Sequence, residues 1–496
     1  MAYPAEPLPG HTVDREAILT ALAVVLPSDS LLREPEELRP YECDGLTAYR
    51  TPPLVVCLPE TEAQTQAVLK TCSRLGVPVV ARGAGTGLSG GALPVENGVL
   101  LSLARFNRIL NIDPRNRSAR VQPGVRNLAI SQAAQAHGLY YAPDPSSQIA
   151  CTIGGNVAEN SGGVHCLKYG LTVHNILEVR ALSMEGDPLR FGGAAPDAPG
   201  FDLPALITGS EGMLAVITEI RVKLLPLPQC AKVVLAAFDD LTAAGQAVGD
   251  IIGAGVIPAG MEMMDNPAIR AVEDFIHADY PVDAEAIILC ELDGTEAEVS
   301  EQIQDVRRIV EACGATQVRI ARDETERAKF WSGRKNAFPA IGRISPDYYC
   351  MDGTIPRRRL PQVLRRIAEL SETFGLRCAN VFHAGDGNLH PLILYDANQP
   401  GELERAERYG GAILELCIAA GGTITGEHGV GREKIDQMCV QFPETELRQF
   451  HAVKAVFDPE GLLNPGKAVP TLHRCAEFGA MHVHEGALPF PELPRF

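Results

Sequence analysis

Short apolar runs broken by glycine occupy the first half of the chain, from Pro53 to Pro226. Runs of this kind between turn residues are typical of strands, whereas the amphipathic stretch Glu62–Leu75 is typical of a helix. Pro226 and Pro228 end the region and indicate a linker. The predicted strands are Leu54–Leu58, Val77–Val80, Val99–Leu103, Ala119–Val121 and Leu214–Leu224.

The segment after the linker alternates predicted strands and helices. Val233–Phe238, the helix Leu241–Gly253 and Val256–Met263 form one β-α-β unit. Ala286–Leu292 and the helix Glu296–Ala312 begin a second unit. This alternation predicts an α+β domain with helices on one face of its sheet.

Composition excludes several classes of protein. The 496 residues carry a formal net charge of −18, which repels nucleic acid and an anionic bilayer. The 13 cysteines include no C-x-x-C pair, so zinc ribbons and iron–sulfur clusters lack their usual ligand spacing, and we expect buried free thiols rather than disulfides. No stretch has the roughly 18 apolar residues of a membrane span. The sequence therefore predicts a cytoplasmic protein of two or three domains without a direct membrane span.

The densest glycine cluster, Arg82–Gly91, contains a G-x-G-x-x-G pattern at Gly85, Gly87 and Gly90. A dinucleotide-binding turn of that pattern needs a helix directly after the loop. Here the chain runs into the strand Val99–Leu103, which leaves no room for the helix. Backbone N–H groups without Cβ atoms can instead form an anion-binding nest. A tight loop without a ligand is the alternative.

Two further segments are rich in small and amide-bearing residues. Pro143–Ser147 is followed closely by Ile153–Gly163, and Thr208–Leu214 comes later. Small residues that recur in this way allow the backbone to approach a large, flat and polar ligand. These segments therefore favour a ligand-binding glycine loop over a tight loop without a ligand.

Together, Arg82–Gly91, Gly154–Gly163 and Gly209–Thr218 resemble the FAD-linked oxidases of the vanillyl-alcohol oxidase and p-cresol methylhydroxylase family. The resemblance implies that the first loop holds the FAD pyrophosphate and that the other segments line the flavin. Some relatives attach the flavin to a His or Cys of this loop; residues 82–93 contain neither, so non-covalent FAD is expected. The implied cofactor-binding residues are Arg82, Gly83, Ala84, Gly85, Thr86, Gly87, Ser89, Gly90, Gly91, Pro143, Asp144, Ser147, Gly154, Gly155, Asn156, Ala158, Asn160, Gly163, Glu211, Gly212, Ile217 and Asn464.

A second chemical cluster comprises the segment from His383 to His390 (H-A-G-D-G-N-L-H) and the pair Glu427 and His428. The two histidines converge only if the glycine loop between them folds back. Glu427 would then complete a two-His, one-carboxylate set with open coordination positions. Solvated loop histidines are the alternative, but glycines flank both segments and favour a built site. The spacing does not match the H-E-x-x-H of a helix-borne protease site.

H-A-G-D-G-N-L-H with G-E-H-G-V-G resembles the D-2-hydroxy-acid dehydrogenase branch of the family, which includes enzymes for D-lactate, D-2-hydroxyglutarate and glycolate. The resemblance implies that His383, His390 and Glu427 bind a divalent metal (Zn, Mn or Fe). It also implies that His428 is the catalytic base. Arg334 is the candidate for the substrate carboxylate, which a guanidinium binds bidentately; a surface salt bridge is its alternative.

The resemblance also implies a fold class and domain boundaries. We expect an α+β protein whose residues 1–228 form a two-part FAD-binding domain, with its core at about 50–228. Residues 229–456 are expected to form an α+β cap domain that has a mainly antiparallel sheet and carries the metal site. The tail, residues 457–496, is expected to return to the FAD domain near Asn464.

Tyr41–Leu46, Arg334–Pro339 and the tail Phe478–His484 resemble the glycolate-oxidising members of this branch, and the apolar Pro391–Leu394 suits a short substrate. We therefore expect oxidation of glycolate to glyoxylate, with D-lactate or another D-2-hydroxy acid as the alternative. The metal would lower the pKa of the substrate hydroxyl, His428 would accept its proton, and a hydride would pass to the flavin.

The resemblance further implies a second flavoprotein-like subunit and an iron–sulfur subunit, which would pass electrons toward quinone at the inner face of the plasma membrane; dioxygen is the alternative acceptor.

Three other functions fit less well. A NAD-dependent dehydrogenase lacks its helix after Gly91, a metallohydrolase leaves the glycine loops unexplained, and a non-catalytic subunit would not need the complete His/Glu set.

Overall fold

The computed structural model describes residues 14–195 and 200–471. The segment Phe478–His484, which the sequence comparison used, lies outside this part of the chain. Three main sheets and the helices packed on them make up the described fold. The fold class is α+β, as predicted.

The first sheet is small, and three of its four strands are parallel to one another. The helices Arg15–Val25 and Glu62–Leu75 pack on one side of it. The second helix begins at Thr61, whose hydroxyl accepts a hydrogen bond from Gln64 N, and ends at Gly76 with a φ of 65°. Both ends follow the usual chemistry of helix caps, so its predicted bounds are confirmed. In spatial order the strands are Leu31–Leu32, Val55–Cys57, Val99–Ser102 and Val79–Arg82.

The second sheet has five antiparallel strands and lies beside the first. Its buried face holds the helices Asn127–Ala134, Ile153–Glu159 and Leu203–Ile207. The predicted strand Leu214–Leu224 is shorter in the structure, and Leu225–Pro226 continues separately to pair with Leu139–Tyr140. In spatial order the strands are Ile109–Asp113, Ser118–Val121, Val216–Lys223, Ile176–Leu182 and Pro188–Gly192.

The third sheet belongs to the second half of the chain, and all of its pairings are antiparallel. The predicted β-α-β unit exists, but Ala286–Gly294 lies between its two strands, Cys230–Phe238 and Gly260–Asp265. The unit is therefore split, as in many α+β domains. In spatial order the strands are Gln317–Ile320, Cys230–Phe238, Ala286–Gly294, Gly260–Asp265, Cys378–Phe382, Pro391–Tyr395 and Asp347–Cys350.

Helices cover both faces of the third sheet, so the prediction of helices on one face is wrong. Val234 and Ala236 face one core, whereas Val233 and Leu235 face the other. A strand buried on both faces has a continuous apolar run, and such a run does not reveal how many faces are covered. One face carries Leu241–Gly253, Glu296–Ala312, Leu360–Phe374 and Glu402–Ala419; the other carries Asn266–Ile276, Glu324–Lys335 and Ala337–Ile341.

After the third sheet the helices Ile435–Gln441 and Glu444–Phe457 lead back to the first sheet. Leu463 forms a parallel bridge with Val79, and the N–H of Asn464 donates to the carbonyl of Val79 at 2.9 Å. Within residues 14–195 and 200–471, no helix is both long and apolar enough to cross a membrane. The remaining short α-helices and strands of the described chain are Pro35–Leu38, Cys166–Tyr169, Gly353–Thr354 and Asn388–Leu389, and its 3-10 helices are Ser28–Ser30, Arg39–Tyr41, Gln135–His137, Thr172–Asn175 and Arg357–Arg359.

Candidate functional site

A cavity of about 430 Å³ lies where the three sheets meet. Arg82 comes from the first sheet, Ile217 from the second, and Lys335 from the end of a helix on the third. The structure brings these predicted residues together on its wall: Arg82, Gly83, Ala84, Gly85, Thr86, Gly87, Gly91, Ser147, Gly154, Gly155, Asn156, Ala158, Glu211, Gly212, Ile217, Glu427 and His428.

The wall also contains residues that the sequence analysis missed. Cys151 and Thr152 directly precede the second glycine segment, and the Thr152 hydroxyl is buried without a partner among the described residues. Because they directly precede that segment in the sequence, they could have been predicted as lining residues. Glu159, at the end of the helix Ile153–Glu159, lines the cavity as well.

Ten predicted site residues do not line the cavity: Ser89, Gly90, Pro143, Asp144, Asn160, Gly163, Arg334, His383, His390 and Asn464. Some of them hold the wall in place instead. The Asn464 amide donates to the carbonyls of Gly91 and Glu211, at 2.9 and 2.6 Å. Asp144 Oδ2 lies 2.7 Å from Nδ1 of His165. These residues support the lining segments through hydrogen bonds.

The glycine loop passes from the strand Val79–Arg82 to the strand Val99–Ser102 without a helix between them, so the NAD-binding turn is excluded. Gly85 has a φ of 69°, which favours glycine. A Cβ on Gly83 would lie 2.3 Å from Oγ1 of Thr152. The loop therefore packs closely against the second glycine segment, and both need their small residues.

A tight turn brings His383 and His390 to adjacent strand ends. The strands Cys378–Phe382 and Pro391–Tyr395 are antiparallel, and the backbones of His383 and Asn388 exchange two hydrogen bonds. Gly387 has a φ of 79°, and a Cβ there would lie 2.2 Å from the carbonyl of Ile355. The loop folds back because glycine allows this conformation.

Glu427 approaches both histidines. Its Oε1 lies 3.0 Å from Nε2 of His383 and 3.4 Å from Nε2 of His390. The three ligand atoms lie within 4.8 Å of one another. Nε2 of His390 and Oε2 of Glu427 are buried without a hydrogen-bond partner among the described residues. Burial without a partner is costly for polar atoms, so this donor set fits a cation.

His428 stacks on His390 with ring centroids 4.8 Å apart. Burial lowers the pKa of His428 to about 4. Asp352, His390 and His428 form a second possible ligand set. Both oxygens of Asp352, however, already accept hydrogen bonds. Oδ1, which lies 3.5 Å from Nε2 of His390, accepts from the backbone of Glu427, and Oδ2 accepts from the backbone of Gly426 and His428 and from Lys434 Nζ. We therefore favour the set that contains Glu427, whose Oε2 is free.

Glu262 is a functional candidate that the sequence analysis missed. Its Oε1 lies 2.8 Å from Nδ1 of His383, and its Oε2 accepts a hydrogen bond of 2.7 Å from Nε of Arg334. Burial alone would raise the pKa of Glu262, but the two partners outweigh it and keep the pKa below its ordinary value. The signal was a carboxylate inside an otherwise apolar run, Gly260–Met264.

Arg334 is buried in the last turn of its helix, and its ion pair with Glu262 is buried too. The alternative of a surface salt bridge is therefore wrong. Nε is bound by Glu262, whereas the two terminal nitrogens have no hydrogen bond to the described residues. These nitrogens are available for an anion.

Two family models match the chain. A model described as "FAD binding domain" matches residues 53–192, and one described as "FAD linked oxidases, C-terminal domain" matches residues 227–468. The solved structure of p-cresol methylhydroxylase with substrate bound has a TM-score of 0.79 at 18% identity, covering 92% of this chain and 97% of that one. The fold is therefore that of the vanillyl-alcohol oxidase type.

Relatives of known name cover almost the whole chain. The chain is 68% identical over 484 residues to the glycolate oxidase subunit GlcD of Escherichia coli (strain K12), covering 98% of this chain and 97% of the relative. It is 32% identical over 441 residues to a D-lactate dehydrogenase of Archaeoglobus fulgidus, covering 86% and 96%. These similarities extend over both halves of the chain and over the site.

Proposed function

This chain belongs to the FAD-linked oxidases, and from that premise we propose that it oxidises glycolate to glyoxylate. The observation that carries the proposal is the convergence of His383, His390, Glu427 and His428 beside a cavity built from the FAD-binding segments. The 68% identity to a glycolate oxidase subunit favours glycolate within this family.

The residues present fit both groups that this chemistry needs. For FAD, the cavity is lined by glycines of both loops, and a Cβ on Gly83 or Gly154 would lie 2.3 or 2.5 Å from a neighbouring atom, so the backbone is free of side chains where a pyrophosphate would bind. We propose that FAD is bound without a covalent link and, when bound, supplies the hydride acceptor. For a cation, His383, His390 and Glu427 provide three ligands; a divalent metal (Zn, Mn or Fe) there would polarise the substrate hydroxyl.

The chain's own residues bind the substrate and move its proton. We propose that the terminal nitrogens of Arg334 attract the substrate carboxylate and that Glu262 keeps the guanidinium oriented through Nε. His428, at the cavity wall, accepts the hydroxyl proton. The Cα hydride leaves in the same oxidation, so the alcohol becomes a carbonyl.

A dye-reduction assay of the purified holoenzyme tests the proposal. Glycolate, D-lactate, L-lactate and D-2-hydroxyglutarate are compared under identical conditions, and we expect the highest kcat/KM for glycolate. A higher kcat/KM for D-lactate would favour the second candidate, a D-lactate dehydrogenase, which the 32% identity to such an enzyme supports. Failure of all four acids to reduce the dye would contradict both.

We further propose that the chain works within a complex, because its relative is named a subunit. The expected partners are a second flavoprotein-like subunit and an iron–sulfur subunit, which would bring the complex to the inner face of the plasma membrane. Affinity purification from the native host should give a complex with iron, labile sulfide and more than one flavin-type chain. A tagged protein purified alone, fully active with quinone, would contradict this proposal.

A further inference from the structure

One carboxyl group on the cavity wall has no hydrogen-bond partner among residues 14–195 and 200–471. Glu159 ends the helix Ile153–Glu159 and lines the cavity. Its carboxyl group makes no hydrogen bond to the described residues, and Oε2 is buried. Burial without a partner is costly for a polar oxygen, so this oxygen favours a bound group that can pair with it.

Two glycines leave the space that this carboxyl group occupies. A Cβ on Gly429 would lie 2.1 Å from Oε2 of Glu159, and a Cβ on Gly91 would lie 2.4 Å from Oε1. Gly91 belongs to the glycine loop, and Gly429 follows His428 directly. Glu159 therefore lies at the end of the cavity where the reaction takes place.

The neighbouring carboxylate, Glu211, already has its donors. Its two oxygens accept hydrogen bonds of 2.7 Å from the backbone of Val430 and Gly431. Burial raises the pKa of Glu211, and these two donors, which Glu159 lacks, act against that rise. Burial, and after it the charge of Glu211, raise the pKa of Glu159 well above the ordinary value for a glutamic acid. Two adjacent carboxyl groups in one buried site do not both ionise readily. Glu159 is thus the protonated member of the pair and can donate.

We propose that Glu159 is a cofactor-binding residue that donates a hydrogen bond from its carboxyl group to a polar atom of the bound flavin ring. Hydride transfer requires the ring to lie beside His428, and Glu159 is placed at that end of the cavity. A donor there stabilises the electron-rich reduced ring more than the oxidised ring, so it raises the midpoint potential. The position of the ring rests on the proposed function, whereas FAD affinity and midpoint potential are measured without substrate or metal, so the two proposals can fail separately.

The test compares Glu159→Gln with Glu159→Leu in the full chain. For each, FAD affinity is measured by titrating the apoprotein, and the midpoint potential by dye equilibration. Because an amide also donates, Glu159→Gln should keep both values close to those of the unchanged protein. Glu159→Leu should bind FAD about 3- to 10-fold more weakly, which is the contribution of one hydrogen bond, and should have a lower potential.

Glu185→Leu is the matched control, because Glu185 is exposed and lies outside the cavity. If FAD affinity and midpoint potential change equally in Glu159→Gln and Glu159→Leu, the carboxyl group acts as an anion and not as a donor. If neither quantity changes in either variant, the carboxyl group does not contact the flavin. Each of these results overturns the proposal. If Glu159→Leu does not fold, infrared difference spectra between the oxidised and the reduced holoenzyme test whether the carboxyl group of Glu159 is protonated. We expect a carboxylic acid C=O band that is lost in Glu159→Gln, and its absence contradicts the proposal.

Discussion

The carboxylate of Asp352 and the ammonium of Lys434 form an ion pair with no exposed surface. Oδ2 and Nζ are 3.0 Å apart, and both side chains are 0% exposed. The same Oδ2 accepts hydrogen bonds from the backbone of Gly426 and His428, at 3.0 and 2.9 Å. One buried carboxylate therefore holds the loop that carries two site residues, and Lys434 compensates its charge.

Asp352→Asn is expected to destabilise the protein by about 3–5 kcal/mol, because it leaves the ammonium of Lys434 buried without its main counter-charge. Urea unfolding of the holoenzyme, followed by far-UV circular dichroism, measures the loss. In the double variant Asp352→Asn/Lys434→Met, no uncompensated charge remains. It should therefore be more stable than Asp352→Asn alone. A double variant that is no more stable than the single one would refute the charge argument.

Glu262→Gln should weaken metal binding by about 10- to 100-fold, which is typical when the partner of a metal-ligating histidine is lost. Glu262 orients His383 through Nδ1, so that Nε2 faces Glu427. Zinc titration of metal-free holoenzyme measures the change, and the FAD content should stay the same. Glu178→Gln is the matched control, since Glu178 is also buried and ion-paired but lies in the second sheet. Equal zinc affinity in Glu262→Gln and the unchanged protein would count against this role.

His390→Ala should remove the metal and nearly abolish turnover while leaving the flavin spectrum intact. His390 is proposed as a ligand, and it does not line the cavity proposed for FAD. Elemental analysis and a dye-reduction assay check the two effects. A fully active, metal-free variant would end the metal hypothesis.

His428→Ala should keep the metal and slow flavin reduction by about 100- to 10,000-fold, because a positioned base contributes that much. Stopped-flow absorbance with glycolate measures the rate. His137→Ala is a suitable control, since His137 is exposed in a short helical turn far from the cavity wall. If His428→Ala reduced its flavin at the normal rate, another group would have to accept the proton.

Acid precipitation should release FAD into the supernatant. The glycine loop has no His or Cys, but the cavity wall does contain the thiol of Cys151. Burial raises the pKa of this thiol, and the protonated form is a poor nucleophile. The flavin should therefore be released equally from the unchanged protein and from Cys151→Ser. Flavin retained by the precipitated chain would contradict non-covalent binding, and retention lost in Cys151→Ser would identify the link.

Much of the cofactor site could be predicted from local sequence. A glycine loop between two strands has no room for a helix, and that distinction is visible within the segment from Val79 to Ser102. The turn between His383 and His390 is equally local, because its glycines permit the backbone reversal. The sequence could not show whether helices cover one face or both faces of the third sheet, since its strands are continuous apolar runs that do not distinguish the two arrangements.

By itself, the sequence determined the fold class, the glycine loops and the histidines of the candidate site, because the motifs that reveal them consist of residues close together in the chain. Only the tertiary structure decided which charged groups form hydrogen bonds and ion pairs around the candidate site. Glu262 is 121 residues from His383, and Asp352 is 82 residues from Lys434. A carboxylate can remain charged in a core only where packing brings donors and a counter-charge to it. No local pattern records that condition, because the partners meet only when the sheets assemble.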